Sequence, residues 1–173
     1  MWLGQLRRAR KRVRVLVRRS EQSGDLYSKL IGTVLDAKLR LAAGRPSEAR
    51  DMVATMLSEW STEEFTFQHM FAIKTLVWCD LYDGDVQSAH GRLVDMEPDL
   101  KKSGLLSLQL MRAEASVLEG CVELARLATG DPAASEARVH KLSRWLEKTG
   151  RPYARGYGAM LRGGCALVGG AAA

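Results

Sequence analysis

The sequence predicts an all-α chain of about eight helices, stacked as helical hairpins into an α-solenoid, and three observations carry that expectation. Apolar residues recur at spacings of three and four, as in Ala49, Met52, Val53, Met56, Leu57 and Trp60, and no stretch alternates as a half-buried strand would. One turn recurs: Gly44-Arg-Pro-Ser-Glu-Ala49, Gly84-Asp-Val-Gln-Ser-Ala89 and Gly130-Asp-Pro-Ala-Ala-Ser-Glu-Ala137 each set a glycine at the end of one helix and an alanine one turn into the next. Finally, Pro46, Pro98 and Pro152 stand where an apolar stripe begins, a position at which the missing amide costs nothing, and Pro132 follows Gly130-Asp131 in the same way.

Each element has its own signal. A basic first helix over 3–21 carries Leu3, Leu6, Val13, Leu16 and Val17 on its apolar face. The first hairpin, 26–59, pairs a helix over 26–43, closed by Gly44, with one over 46–59 opened by Pro46. The second, 63–97, pairs 63–83 with 86–97; Ser61-Thr62 supply capping hydroxyls, and Glu63 and Glu64 favour the positive end of the helix dipole. The third, 103–149, joins a helix over 103–129 to one over 133–149. Its first helix has two apolar stripes, Leu110-Ala113-Val117-Cys121-Leu124-Ala128 and Met111-Ala115-Leu118-Val122-Ala125, and so needs two neighbours. A last helix over 151–168 is expected to stop at Gly169-Gly170, leaving an incomplete hairpin whose exposed apolar residues suit a piece of a longer array.

Charge is concentrated at one end. The 173 residues hold 26 basic and 20 acidic side chains, a formal charge of +6, but Arg7, Arg8, Arg10, Lys11, Arg12, Arg14, Arg18 and Arg19 all fall in the first twenty positions without an acid among them. The remainder is slightly acidic. A nucleic-acid surface extending over the whole chain is therefore disfavoured, and the electrostatic patch is confined to the first helix. Beside it stands Trp2 as the one nearby aromatic, so sequence-independent attraction is the most that patch would give.

Cys79, Cys121 and Cys165 are too widely spaced for a C-x-x-C pair and odd in number for a disulfide framework, which suits a reducing cytoplasm. No apolar run reaches the length of a membrane span, and arginines occupy the place of a signal peptide's hydrophobic stretch. His69, His90 and His140 form no i, i+4 histidine pair, so no metal ligand, cofactor or catalytic residue is expected.

The Gly84-Asp-Val-Gln-Ser-Ala89 turn resembles the loop of tetratricopeptide repeats, although spacings of 40 and 46 between successive turn glycines exceed that family's ~34 residues. Ser23-Gly-Asp-Leu-Tyr27, Trp60-Ser61 with Phe65 and Gln68-His69, Asp80-Leu-Tyr-Asp-Gly-Asp85, and Pro98-Asp-Leu followed by Ser103, Leu105-Leu106, Gln109, Arg112 and Glu114 are together similar to the C-terminal tetratricopeptide-like region of large bacterial serine/threonine protein kinases. Related helical regions occur in signalling ATPases and transcription regulators. The chain carries none of the kinase's own motifs: no glycine-rich phosphate loop, Val-Ala-Ile-Lys, His-Arg-Asp or Asp-Phe-Gly. What the resemblance implies is a non-catalytic interaction or scaffold module whose partner is a protein, a peptide or another domain of the same protein. Gln68, His69, Lys74, Gln109 and Arg112 interrupt the first helices of hairpins with polar groups and are the expected lining of its groove. The alternative is an electrostatic binder of nucleic acid or anionic membrane through the first helix. A structural role competes at most of these positions: the Gln68-His69 pair among Phe65, Phe67, Met70 and Phe71 suits a packing contact, and Gln109, Arg112 and Glu114 suit internal pairing.

Overall fold

Residues 5–60 and 64–171 are described by the computed structural model, and all regular structure among them is helical. The helices are α1 (Leu6–Ser23), α2 (Leu26–Leu41), α3 (Pro46–Glu59), α4 (Phe67–Asp83), α5 (Val86–Lys102), α6 (Gln109–Ala128), α7 (Glu136–Lys148) and α8 (Pro152–Ala171), with a 3₁₀ turn at Leu105–Ser107 ahead of α6. None of the described helices is long and apolar enough to cross a membrane. The chain divides into two units, Met1–Gly84 and Asp85–Ala173.

In the first unit α2 is the central helix and packs against α1, α3 and α4. Leu30, Val34 and Ala37 of α2 meet Ala49, Val53 and Met56 of α3 and Ala72 and Cys79 of α4 in one buried cluster. Gly32 lets α1 lie close: a Cβ there would stand 2.6 Å from a methyl of Val17. Polar ties close the edges, with Lys29 Nζ 2.7 Å from Glu59 and Arg50 reaching from α3 to Asp80 (2.9 Å) and Asp83 (2.6 Å) on α4.

In the second unit α6 takes the central place and packs against α5, α7 and α8. Both of its stripes are used, since Ala113 and Val117 are buried along with Met111, Leu118 and Val122. α8 packs by close approach at small residues. A Cβ on Gly158 would lie 2.8 Å from the carbonyl oxygen of Ser143, one on Gly120 2.5 Å from Leu161, and one on Gly164 2.6 Å from Leu124. The Ser143 hydroxyl donates to the Gly158 carbonyl at 2.8 Å within this contact, fixing the register of α7 against α8.

The recurrent glycine corner is present. Gly44, Gly84 and Gly130 all have φ between 73° and 78°, the left-handed conformation that turns the chain out of a helix. At Gly44 and Gly130 the amide of the residue after the glycine returns to the carbonyl five residues earlier, Arg45 to Arg40 and Asp131 to Arg126, each at 3.0 Å, which satisfies a carbonyl the helix leaves open. Gly24 closes α1 with the same bond, Asp25 to Ser20, a corner not singled out in the sequence.

Several boundaries are corrected. The helix expected over 86–97 runs through Pro98 to Lys102, because Pro98 and Val94, whose carbonyl loses its intrahelical donor, both lie on the exposed side where water can bond that oxygen. The next helix accordingly starts at Gln109 rather than 103, after a left-handed Gly104 (φ 72°) and the 3₁₀ turn. Pro132 sits in a turn, not at a helix start; α7 opens at Glu136 with the Ser135 hydroxyl accepting from the Arg138 amide at 3.2 Å. α4 begins at Phe67, not 63, with Thr66 as its cap; Glu64 precedes the helix, and Ser61, Thr62 and Glu63 lie outside the described residues. α1 runs from Leu6 to Ser23, past the expected end at 21, and Trp2 and Leu3 lie outside the described residues. α2 ends at Leu41 because Ala43 and Gly44 tighten onto Arg40 and Leu41. α8 does not stop before Gly169-Gly170 but passes through both to Ala171, since neither glycine takes the left-handed conformation that would end it.

Candidate interaction groove

In the second unit α5 and α7 both rest on α6 without covering all of it. The gap between them is a groove of two joined clefts, about 290 Å³ and about 340 Å³, that share Glu97, Leu100, Ala115, Glu119 and Arg138. Its floor is apolar: Ala115 and Val122 of α6 face Leu93, Val94 and Leu100 of α5. Leu106, Leu142 and Trp145 line the second cleft. Val94 is half exposed although aliphatic, at 54%.

The walls are charged and mostly paired. Arg138 Nε lies 2.5 Å from Glu119, and that bond holds the arginine's pKa above its ordinary value. Glu123, only 8% exposed, accepts from Arg126 at 3.0 Å and from the Ser135 amide at 2.8 Å, which ties the end of α6 to the start of α7. Arg126 also reaches Asp131 at 2.7 Å. Two cations differ. Arg112 lies with its guanidinium carbon 4.6 Å from the centre of the Trp145 ring, and neither it nor Lys141 has a carboxylate partner among the described residues. The second cleft is thus an apolar trough with unneutralised positive charge at its wall.

Of the residues expected to line a groove, Arg112 is placed at the wall of the second cleft. Gln109 is not; its amide donates to the Thr149 carbonyl at 3.5 Å and accepts from Arg151 at 3.3 Å, bracing the corner between α7 and α8. Gln109 and Arg112 find their partners on α7 and the turn after it rather than on each other. Gln68, His69 and Lys74 belong to α4 of the first unit. Gln68 is buried, at 4% exposure, with no hydrogen bond to its Oε1 among the described residues. His69 Nδ1 accepts from the Thr66 amide at 3.1 Å, so His69 is a capping residue, and its ring stacks on Phe65. Lys74 is buried with its ammonium 6.0 Å from the centre of the Phe71 ring, which Lys38 approaches at 5.0 Å. Burial pushes the Lys38 pKa down.

The basic patch is in place. Arg7, Arg8, Lys11, Arg12, Arg14, Arg18 and Arg19 are exposed and Arg10 half-buried, and none of them makes an ion pair among the described residues.

One cluster has no counterpart in the sequence reading. Glu136 and His140, one turn apart on α7, meet Cys165 of α8, and one ligand atom from each lies within 4.8 Å of the others. His140 Nε2 is 3.2 Å from a Glu136 oxygen. Burial, with the Glu136 carboxylate adding to it, pushes the Cys165 thiol above its ordinary pKa, the opposite of what an activated nucleophile needs. The i, i+4 Glu136–His140 pair was visible in the sequence, but nothing in a single chain brings a cysteine 25 residues later beside it.

No family model, curated protein or solved structure matches the chain.

Proposed function

We propose that the protein is a non-catalytic interaction module that receives a segment of another polypeptide in the groove over α6. The observation that carries this reading is the second cleft: an aliphatic floor beside Arg112 and Lys141, two cations without a carboxylate partner among the described residues. Such a site suits a segment presenting aliphatic side chains and at least one carboxylate, because the apolar floor gains from leaving water and the cations gain a counter-charge. Packing of α2 on α4 and of α6 on α8, beyond each helix's immediate neighbour, supports a tetratricopeptide-like stacking of hairpins. The setting we infer is a regulatory region of a bacterial signalling protein, in line with the resemblance of the sequence to the C-terminal helical region of bacterial serine/threonine kinases. An in-frame kinase domain in the genomic DNA upstream of Met1 would support that parentage.

The test is selection of peptides from a displayed random library against the whole chain, followed by binding to Ala115→Leu, which fills the floor, and Arg112→Ala. Acidic-aliphatic peptides that lose at least about tenfold in affinity to each variant are expected. Peptides indifferent to both substitutions, or selection of none, would overturn the reading. A second reading rests on α1, whose exposed arginine face makes no ion pair among the described residues and suits an anionic surface; binding that falls steeply between low and moderate salt and survives Ala115→Leu would favour it.

A further inference from the structure

We infer that Glu136, His140 and Cys165 form a binding site for a divalent transition-metal ion of the zinc class, one that the chain offers independently of the groove. The three donors are of different kinds: a carboxylate oxygen, an imidazole nitrogen and a thiol sulfur, within 4.8 Å of one another. Bond lengths of 2.0–2.3 Å in a tetrahedral zinc site put neighbouring donors ~3.4 Å apart, so the present spacing is within about 1.4 Å of what such a site needs. The Glu136–His140 separation is already 3.2 Å. An oxygen, nitrogen and sulfur set is matched by zinc or cobalt and poorly by calcium or magnesium, which take oxygen donors.

The backbone holds this geometry. Ser143 lies seven residues after Glu136, Gly158 seven residues before Cys165, and α7 and α8 run antiparallel. The Ser143–Gly158 hydrogen bond therefore sets Glu136 and Cys165 level with each other two turns away. Because Gly158 brings the two helices into near contact, the register cannot slip without breaking that bond. The site is also reachable. The Glu136 and His140 side chains are 58% and 41% exposed, while Cys165 forms its buried base at 3%. An ion entering from solvent meets the carboxylate and imidazole first, displaces the bond between them, and takes the thiolate after its proton leaves to water. Three protein donors leave a fourth position for water or for a donor from a bound partner.

The experiment uses the reduced, metal-free full chain titrated with Co²⁺ and then Zn²⁺. One Co²⁺ per chain is expected, with a sulfur-to-cobalt charge-transfer band and the visible bands of tetrahedral cobalt, both displaced by one equivalent of Zn²⁺. Cys165→Ser should abolish the charge-transfer band, and Cys121→Ser should leave it intact. His140→Ala, at a half-exposed position, should weaken Zn²⁺ binding at least about tenfold, and Glu136→Gln less. Absence of the charge-transfer band in the native chain, its survival in Cys165→Ser, or unchanged Zn²⁺ affinity in His140→Ala would overturn the assignment.

Discussion

The two units are built on one plan and tightened by different means. In each, a central helix, α2 or α6, packs against three others, but α1 approaches α2 at a single glycine whereas α8 approaches α6 and α7 at three. What lies opposite the glycines differs more than their number. Gly32 faces a methyl of the half-buried Val17, a group at the edge of the contact. Gly158 faces the backbone carbonyl of Ser143 at 2.8 Å and the Glu147 amide at 3.3 Å, which cannot rotate away. Close approach through a side chain can relax; close approach through backbone is rigid. The second unit therefore has the firmer helix pair, and that pair holds the Glu136, His140 and Cys165 cluster.

Gly158→Ala and Gly32→Ala should differ most in stability. Alanine gains about 1 kcal/mol of helix propensity at either site. At Gly158 the methyl must force α7 and α8 apart and stretch the Ser143 bond, an overpacking cost of about 1–3 kcal/mol on top of a lost buried hydrogen bond. A net loss of about 2 kcal/mol is expected at Gly158 and a change within about 1 kcal/mol at Gly32, read from urea unfolding. Equal effects would show that the two contacts are equally yielding. If the inferred metal site holds, Gly158→Ala should also weaken Zn²⁺ binding, while Gly32→Ala should leave it unchanged.

A smaller difference concerns the arginines that tie neighbouring helices. Arg50 in the first unit spans two carboxylates, Asp80 and Asp83, and Asp80 is 2% exposed. Arg138 in the second meets Glu119, whose side chain is 37% exposed. Losing a partner costs more when the remaining charge is out of water. Arg50→Met is expected to destabilise by about 1–2 kcal/mol and Arg138→Met by less than about 1 kcal/mol, both by denaturant unfolding at neutral pH. High salt should shrink the second effect more than the first.

The fold was legible to the extent that local rules decided it. Glycine corners at 44, 84 and 130 and the two stripes of α6 are consequences of backbone conformation and helical periodicity, both of which operate within a few residues. Pro98 misled because proline's cost depends on whether the deprived carbonyl meets water, and exposure is a tertiary property. Of the polar residues expected in a groove, Arg112 alone is placed at one of these clefts. Polar interruption of an apolar stripe marks a groove residue and a capping or buried residue alike, and His69 and Gln68 proved to be the latter. Leu100 and Trp145 enter the groove from helices on either side of α6, and Cys165 meets His140 only through the register of α7 and α8. Those are relations between helices, for which one sequence carries no short-range signal.

The smallest expected difference between the units is in their response to alkali, and it comes from Lys38. Its ammonium lies 5.0 Å from the centre of the Phe71 ring, has no carboxylate partner among the described residues, and has its pKa lowered from 10.5 by burial. Between the lowered folded value and 10.5 the unfolded chain binds the proton more tightly than the folded one. Stability contributed by this position therefore rises with pH through that window, and below it the buried charge is a standing cost. Lys38→Met removes the titrating group, so the variant should gain most over the native chain near neutrality and lose that advantage as pH approaches 10.5. Urea midpoints of both proteins across that range test it: converging profiles are expected, and parallel ones would mean that the aromatic ring and nearby water solvate the ammonium as well as bulk solvent does.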